Sequence, residues 1–310
     1  MPVPPVGRAP VPLVGRRCAP GVTEGQTAGV PTAADWPIAA AMLQFPAALP
    51  DGSATVDQDA EGWAASLRQV TRAGFDHVDP YDAWLPLADL SPERLEEFRA
   101  VLADVGLSVP AVSIARRSVI EPGRGEANLE YTHRAIDAAA AVGASVINTG
   151  LFQPLNAAQR RALWFWTEQG PVDPPDDPET WDLAVSRIRE LGEHAATDGL
   201  VLSLEMYEDT YLGTADSAVR FVTDVGHRAV GLNPDLGNLQ RLLRPVERWE
   251  SMVEKVAPHM NFLHAKNYTR SEDASTGAVV TAPVYLEAGV ISYRSFLATA
   301  VDHGFDGPIT

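Results

Sequence analysis

Cysteine is almost absent from this chain, because Cys18 is the only one among its 310 residues. A single cysteine cannot form an internal disulfide, and its scarcity is typical of a reducing compartment, so we expect a cytoplasmic protein. No apolar run reaches the ~18 residues that a membrane-spanning helix needs. Arg16 and Arg17 resemble a twin-arginine export signal, but no apolar segment follows them. The sequence therefore predicts neither a membrane span nor export.

Positive charge is also scarce. The chain has 24 Lys and Arg residues against 41 Asp and Glu residues, which gives a formal net charge of -17. A surface with this balance repels phosphate backbones and anionic lipid headgroups. The charge therefore excludes nucleic acid and membrane surfaces as expected partners.

Short apolar runs alternate with amphipathic stretches from Trp36 onward, which is typical of a parallel sheet built from strand-helix units. The predicted strands are 38–45, 77–81, 107–114, 145–151, 200–207, 229–235, 260–267 and 306–310. The predicted helices are 56–72, 92–105, 126–142, 178–197, 214–225, 245–256 and 292–303. This pattern predicts an α/β protein with one (β/α)8 TIM barrel over residues 35–310, which lacks the final helix of that fold. Residues 1–34 are rich in Pro and Gly without any period, and we expect a disordered tail there.

An aromatic insert interrupts the repeat after the fourth predicted strand, near residues 152–178. It contains Leu-Trp-Phe-Trp at 163–166 and a segment rich in Pro and Asp. Loops that follow barrel strands lie on the face that carries function. Trp164 and Trp166 are therefore candidates for stacking on a substrate ring, although large apolar side chains are more often buried within an insert.

Acidic and imidazole side chains follow three consecutive predicted strands. Glu205, Asp235 and His264 stand at the carboxyl ends of strands five, six and seven, where parallel barrel strands converge on one mouth. Two oxygen donors with one imidazole suit Mn²⁺ best, and Mg²⁺ or Co²⁺ as well. The alternative is that each carboxylate pairs with an Arg or Lys, since an unpaired buried charge is costly. We predict a divalent metal held by these three residues.

Other polar residues at strand ends are candidates for the same mouth. Lys266 lies two residues after His264 on the same strand face, and we assign it a catalytic role beside Glu205. Arg116, with Arg117 after it, could hold a phosphate or balance the acidity of the mouth. His133, His194 and His303 fall on helices and are predicted surface groups. The predicted substrate-binding residues are Asp79, Tyr81, Ser113, Arg116, Asn148, Trp164, Trp166, Tyr207, Asn233 and Asn238.

Several motifs together resemble the sugar phosphate isomerase/epimerase family, the xylose isomerase-like barrels. They are Ala-Gly-Phe-Asp-His-Val-Asp at 73–79, Ser-Leu-Glu-Met-Tyr at 203–207, Val-Gly-Leu-Asn-Pro-Asp-Leu-Gly-Asn at 230–238, Leu-His-Ala-Lys-Asn at 263–267 and Gly-Phe-Asp-Gly-Pro-Ile-Thr at 304–310. The resemblance implies that Glu205, Asp235 and His264 bind one metal ion and that Glu205 is also an acid/base group. It further implies a final glutamate ligand directly after Thr310, where this sequence stops.

The resemblance implies a metal-dependent isomerase or epimerase that acts on a sugar through an enediolate, and an oligomer. A narrower resemblance, carried by the insert and by Tyr-Glu-Asp-Thr-Tyr-Leu-Gly-Thr at 207–214, is to the large subunit of bacterial C-glycoside deglycosidases. It implies instead a carbon-carbon lyase that acts on a 3-oxo-glycoside and has a small β-rich partner subunit. A third reading is a truncated barrel without catalysis, because the fourth ligand is missing. A DNA-repair endonuclease of similar architecture is disfavoured by the net charge and by the placement of the seven histidines.

Overall fold

The computed structural model describes Thr32 and residues 34–310. The predicted tail therefore falls almost wholly outside the described residues, and so does Cys18. The helices of the described part are α1 Ala60–Arg72, α2 Pro92–Val105, α3 Gly125–Ala141, α4 Ala157–Arg161, α5 Pro178–Thr197, α6 Ala215–Val225, α7 Gly237–Gln240, α8 Trp249–Val256 and α9 Tyr293–Asp302. All seven predicted helices are present, and the short helices α4 and α7 are additions.

The strands are β1 Ala39–Ala41, β2 His77–Asp79, β3 Ala111–Ser113, β4 Val146–Thr149, β5 Val201–Glu205, β6 Val230–Asn233, β7 Asn267–Asp273 and β8 Ala278–Val284. Strands β1 and β2 pair in parallel, and β3 to β6 form a second parallel sheet in chain order. The first six predicted barrel strands are thus confirmed, although each is shorter than predicted. Sheet twist leaves only a few residues of each in regular pairing.

Single parallel bridges replace continuous ladders around the rest of the barrel. His77 bridges Ser108, and Leu232 bridges Met260. Ile309 bridges both Leu263 and Ile38, so this segment lies between the seventh and first strand positions. Residues 260–265 and 308–310 therefore occupy the places of strands seven and eight without forming regular strands.

The segment after His264 differs from the prediction. Barrel strand seven was expected over 260–267, but Asn267 instead begins β7, which pairs antiparallel with β8 as a hairpin. Gly277 in the turn has φ 72°, a conformation that suits glycine. The hairpin was not predicted, because β7 and its turn are mostly polar and resemble a loop.

Helix ends follow local signals in the sequence. The Ser91 side chain caps α2 by accepting from the Arg94 N–H, and Pro92 occupies its first turn. Gly106 ends the same helix in the left-handed conformation. In the core, Trp63 of α1 packs edge-on against Phe98 of α2 with ring centroids 5.5 Å apart, and both side chains are fully buried. This contact holds α1 and α2 together.

Strand register places polar side chains of neighbouring strands beside one another near one end of the barrel. Ser113 pairs with Asn148, Asn148 pairs with Ser203, and Glu205 pairs with Asn233. All five are buried. Buried polar groups need partners, so these side chains must be held together by hydrogen bonds or ligands. Among the described helices, none has the length and apolar character needed to cross a membrane.

Candidate metal centre

Glu205, Asp235 and His264 converge at the mouth of the barrel. Glu205 ends β5, Asp235 lies two residues after β6, and His264 follows Leu263 of the bridged seventh position. Each offers a ligand atom within 4.8 Å of the others. The side chains of Glu205, Asp235 and His264 are only 5%, 1% and 12% exposed. The predicted ligands therefore lie within reach of a common ion.

Two carboxylate oxygens in this group lack a hydrogen-bond partner among the described residues. They are Glu205 Oε2 and Asp235 Oδ1, and both are buried. The other Glu205 oxygen, Oε1, accepts from Asn238 Nδ2 at 2.8 Å, and that amide also donates to the Met206 carbonyl at 2.9 Å. A buried carboxylate oxygen without a donor is costly unless a cation meets it. The donor set thus fits a divalent metal ion.

One of the two carboxylates, Asp235, forms the ion pair that the sequence offered as the alternative to a metal ion. Lys266 Nζ lies 2.8 Å from Asp235 Oδ2. Gly237 permits this approach, because a Cβ there would lie 2.6 Å from Lys266 Cγ. Burial alone would lower the pKa of Lys266, but Asp235 raises it above its ordinary value. Glu205 has no such lysine or arginine partner in the described part of the chain, and the second Asp235 oxygen has no donor there.

His264 lies between two carboxylates. Its Nδ1 is 3.5 Å from Glu205 Oε2, and its Nε2 is 3.5 Å from Asp79 Oδ2. Burial acts to lower the pKa of His264, but Asp79 and Glu205 raise it to about 10. Glu205 responds in the opposite sense: burial would raise its pKa, and His264 and Lys266 hold it below the ordinary range. Without a metal, His264 carries the positive charge that a cation would otherwise supply.

A chain of hydrogen bonds runs from the backbone N–H of His264 to the carboxylate of Asp79. The His264 N–H donates to Asn233 Oδ1 at 2.8 Å, and Asn233 Nδ2 donates to Asn148 Oδ1 at 3.2 Å. Asn148 Nδ2 donates to Ser113 Oγ at 3.2 Å, and that hydroxyl donates to Asp79 Oδ2 at 2.8 Å. We call Asp79, Ser113, Asn148 and Asn233 the polar belt. A carboxylate behind a ligating histidine fixes its ring and tautomer, so the belt orients His264.

A cavity of about 620 Å³ opens above the ligands. The predicted residues that line it are Tyr81, Arg116, Glu205, Tyr207, Asp235, Asn238, His264 and Lys266. The predicted residues Asp79, Ser113, Asn148 and Asn233 instead form the buried belt, and Trp164 and Trp166 do not line the cavity. The aromatic insert contributes Phe165 in their place, and Trp164 stacks on Trp166 beside it.

Sequence reasoning missed four notable lining residues: Asp82, Phe152, Phe165 and Arg241. Arg241 is 3% exposed, stacks 4.7 Å from the Phe165 ring centroid and forms a two-pronged ion pair with Glu208 at 2.9 and 3.0 Å. Phe152 stacks on Tyr207 with centroids 4.5 Å apart. Glu208 follows the fifth predicted strand directly, but nothing in the sequence indicated that Arg241 would pair with it.

Thr310 lines the same cavity, and its carbonyl accepts from the Ala265 N–H at 2.7 Å. The segment that occupies the eighth strand position therefore reaches the mouth. The fourth ligand that the family resemblance implies would follow Thr310, and it stays a prediction.

Comparison with known proteins decides the family. The sequence profile of the xylose isomerase-like TIM barrel family matches residues 67–310. The chain belongs to this family. The barrel predicted from the sequence is thereby confirmed, and the matched range contains all three candidate ligands. No curated protein sequence matches the chain.

Solved structures of xylose isomerase-like barrels agree with this assignment. A xylose isomerase-like TIM barrel protein from Mycobacterium smegmatis, in complex with magnesium, is 52% identical, with TM-score 0.85 over 88% of this chain and 89% of its own. A xylose isomerase domain protein from Planctomyces limnophilus is 19% identical, with TM-score 0.64 over 89% and 88%. A D-allulose 3-epimerase from Methylomonas sp. is 17% identical, with TM-score 0.61 over 89% and 83%. The last two show the shared fold alone.

Proposed function

We propose that this protein is a divalent-metal-dependent isomerase or epimerase of a sugar or sugar-like substrate. The observation that carries the proposal is the convergence of Glu205, Asp235 and His264 with two unsatisfied carboxylate oxygens. The magnesium complex of the 52% identical protein supports a divalent ion. Sugar epimerases recur among the structures that share the fold, which supports the substrate class.

Glu205 Oε2, Asp235 Oδ1 and a His264 ring nitrogen would hold the ion. When bound, a divalent ion supplies Lewis-acid polarisation of a sugar carbonyl and stabilises the negative charge that develops on its oxygen. Oxygen ligands with one imidazole favour Mn²⁺ or Mg²⁺ over softer ions. Among these two, the imidazole inclines the choice to Mn²⁺, as predicted from the sequence.

The side chains of the mouth would move the proton. Glu205 takes the proton from the carbon next to the carbonyl, while Asn238 holds its Oε1 in place. Lys266 Nζ lines the cavity beside Asp235, where it can donate to a substrate oxygen or return a proton. The place to which a proton returns sets the outcome: return to the opposite face of the same carbon gives an epimer, and return to the former carbonyl carbon gives an aldose-ketose pair.

Solvent deuterium exchange tests this proposal across many sugars with one readout. A panel of neutral and acidic ketoses is incubated with the protein in D₂O, with Mn²⁺, with Mg²⁺ or with a chelator, and followed by proton NMR. We expect at least one sugar to exchange the hydrogen next to its carbonyl, only when metal is present. Exchange that is unaffected by the chelator, or absent from the whole panel in a protein that binds metal, would overturn the proposal.

A second candidate function is the carbon-carbon lyase reaction on a 3-oxo-glycoside. Phe152, Phe165 and Tyr207 give one side of the cavity an aromatic surface that suits an aromatic aglycone. Release of the free aglycone from a 3-oxo C-glycoside, measured by chromatography with the protein alone and with any β-rich subunit that co-purifies, tests this reading. Deuterium exchange on simple ketoses without aglycone release would favour the isomerase.

A further inference from the structure

Arg116 is the exception among the arginines around the cavity. Arg241 pairs with Glu208 at 2.9 Å, and Arg117 pairs with Asp82 at 3.1 Å. Arg116 lines the cavity but has no carboxylate within ion-pair distance among Thr32 and residues 34–310. Its guanidinium donates only to the Gln153 carbonyl at 3.1 Å and to the Tyr207 hydroxyl at 2.9 Å within that part of the chain. Three of its five N–H groups are therefore free to bind a ligand.

The backbone at Arg116 holds the side chain in this place. Its φ is 55°, in the left-handed region that side-chain-bearing residues avoid. Such strained positions persist where the surrounding structure enforces them, and they cluster at functional sites. Here the strained residue begins the turn after β3 and carries a guanidinium into the substrate cavity.

Aromatic rings surround this guanidinium. Its central carbon lies 5.1 Å from the ring centroid of Phe165, 5.6 Å from that of Tyr207 and 6.0 Å from that of Phe152. Apolar rings on several sides shield a partly buried guanidinium from solvent screening, so a charge-assisted hydrogen bond formed here is stronger than one at the open surface. The planar guanidinium is suited to a two-pronged contact with a carboxylate or phosphate.

The net charge of the mouth would favour an anion once a metal is bound, and this step rests on the proposed function. A divalent ion held by Asp235 Oδ1 and Glu205 would balance both carboxylates, so the positive charge of Lys266 beside Asp235 Oδ2 would no longer be cancelled. Two ion pairs, Asp82 with Arg117 and Glu208 with Arg241, add no net charge to the mouth. Arg116 and Lys266 then remain as two positive charges against the single buried carboxylate of Asp79.

We propose that Arg116 binds an oxyanion of the substrate, so that the substrate class is a sugar acid or a sugar phosphate rather than a neutral sugar. The oxyanion sits against the free edge of the guanidinium beside Phe165. The sugar carbonyl lies toward Glu205 and Lys266 within the same cavity. Arg116 is thereby a specificity-determining residue, which selects the charged substrate without taking part in proton transfer.

Titration calorimetry on the magnesium-loaded protein tests this proposal with D-fructose, D-fructose 6-phosphate and D-glucuronate as probes. The proteins are the parent, Arg116→Gln, Arg116→Lys and, as a control with the same charge change, Arg161→Gln on the exposed surface of α4. We expect one charged probe to bind about 10- to 100-fold more tightly than D-fructose, the range typical of a charged hydrogen bond. Arg116→Gln should abolish that advantage, Arg116→Lys should keep part of it, and Arg161→Gln should keep all of it.

The two charged probes separate a phosphate from a carboxylate preference. Equal affinity for all probes in a protein that binds Mg²⁺, or an advantage that survives Arg116→Gln, overturns the anion subsite and leaves the proposed function standing. An advantage lost equally in Arg161→Gln also overturns it, because the effect would then come from net charge. Failure of the parent to bind Mg²⁺ overturns the proposed function, and the subsite with it.

Discussion

Two clusters of acidic and histidine side chains among the described residues have the composition of a metal site. One is Glu205, Asp235 and His264 at the barrel mouth, and the other is Asp137, His194 and Asp198 on the outer helices α3 and α5. In the outer cluster, His194 Nε2 lies 3.1 Å from Asp137, whose side chain is 63% exposed. His194 Nδ1 meets His133 Nδ1 at 2.8 Å, and His133 Nε2 meets Glu190 at 2.9 Å.

The difference lies in desolvation. The outer carboxylates face water, which satisfies them at little cost, and exposed ion pairs of this kind contribute about 0–1 kcal/mol. At the mouth, Glu205 and Asp235 are almost fully buried, and each keeps one oxygen without a donor among residues 34–310. Spacing alone therefore does not identify a metal site. Buried carboxylate oxygens without a donor distinguish the mouth from the outer cluster, and they make the mouth the stronger candidate for a metal site.

The largest expected effect is on proton transfer. Glu205→Gln keeps the shape and the Asn238 contact but removes the base, so we expect substrate deuterium exchange to fall by about 10²- to 10⁴-fold. Glu190→Gln, beside the outer cluster, is the matched control and should leave the rate unchanged. Proton NMR in D₂O measures both. A similar loss in the two variants would show that the clusters do not differ in function.

The next effect concerns stability without metal. Lys266→Met removes the partner of the buried Asp235 carboxylate, so we expect the free energy of unfolding to fall by about 3 kcal/mol in chelator. Saturating Mg²⁺ should reduce this loss, because the ion neutralises Asp235 instead. Lys255→Met removes an ammonium that pairs with Asp216 and Glu247 in contact with solvent, so it should cost much less than Lys266→Met. Urea denaturation measures these differences, and equal losses would contradict the account.

A smaller effect tests the polar belt. Asp79→Asn leaves the belt in place but removes the charge that faces His264 Nε2, so we expect metal affinity to fall by about 10- to 100-fold. Asp76→Asn at the exposed start of the same strand is the control. Mn²⁺ titration followed by electron paramagnetic resonance measures the affinity. An unchanged affinity in Asp79→Asn would mean that the belt is structural only.

Asp173 shows how burial changes the pKa of a carboxylate that has no cationic partner among the described residues. It accepts the Tyr211 N–H at 2.9 Å, yet burial raises its pKa to about 6. The folded protein holds this proton more tightly than the unfolded chain. The contribution of Asp173 to the free energy of unfolding is therefore greatest below about pH 4 and falls as the pH rises toward 6. We expect Asp173→Asn to remove a pH-dependent change of about 2 kcal/mol from the unfolding free energy between roughly pH 4 and 6. The same slope in parent and variant would contradict this expectation.

The sequence predicted the parts of this fold that depend on local signals. Capping residues such as Ser91 and terminating glycines such as Gly106 and Gly226 can be recognised in the sequence. The predicted helix bounds therefore agree with the observed ones within a few residues. The three candidate ligands were found because a charge directly after an apolar strand is unusual. The fold of the barrel then follows from the strand-helix repeat.

Features that depend on tertiary packing were not predicted. Phe165 rather than Trp164 or Trp166 lines the cavity, because the orientation of a short helical turn is set by what it packs against. The Arg241–Glu208 pair joins residues 33 positions apart in the chain, and their pairing follows from the packing of the segments after β5 and β6. The sequence suggested that Asp79, Ser113, Asn148 and Asn233 bind substrate, which stays a prediction. Only the structure shows that they hydrogen-bond to one another and to the His264 backbone.

Metal content is the most direct test of the difference between the two clusters. Mass spectrometry and calorimetry with Mg²⁺ and Mn²⁺ are applied to the parent, Glu205→Gln, Asp235→Asn and Asp137→Asn. The account predicts one ion per chain in the parent and in Asp137→Asn, and its loss in both mouth variants. No bound ion in the parent, or an ion retained in the mouth variants and lost in Asp137→Asn, would contradict it.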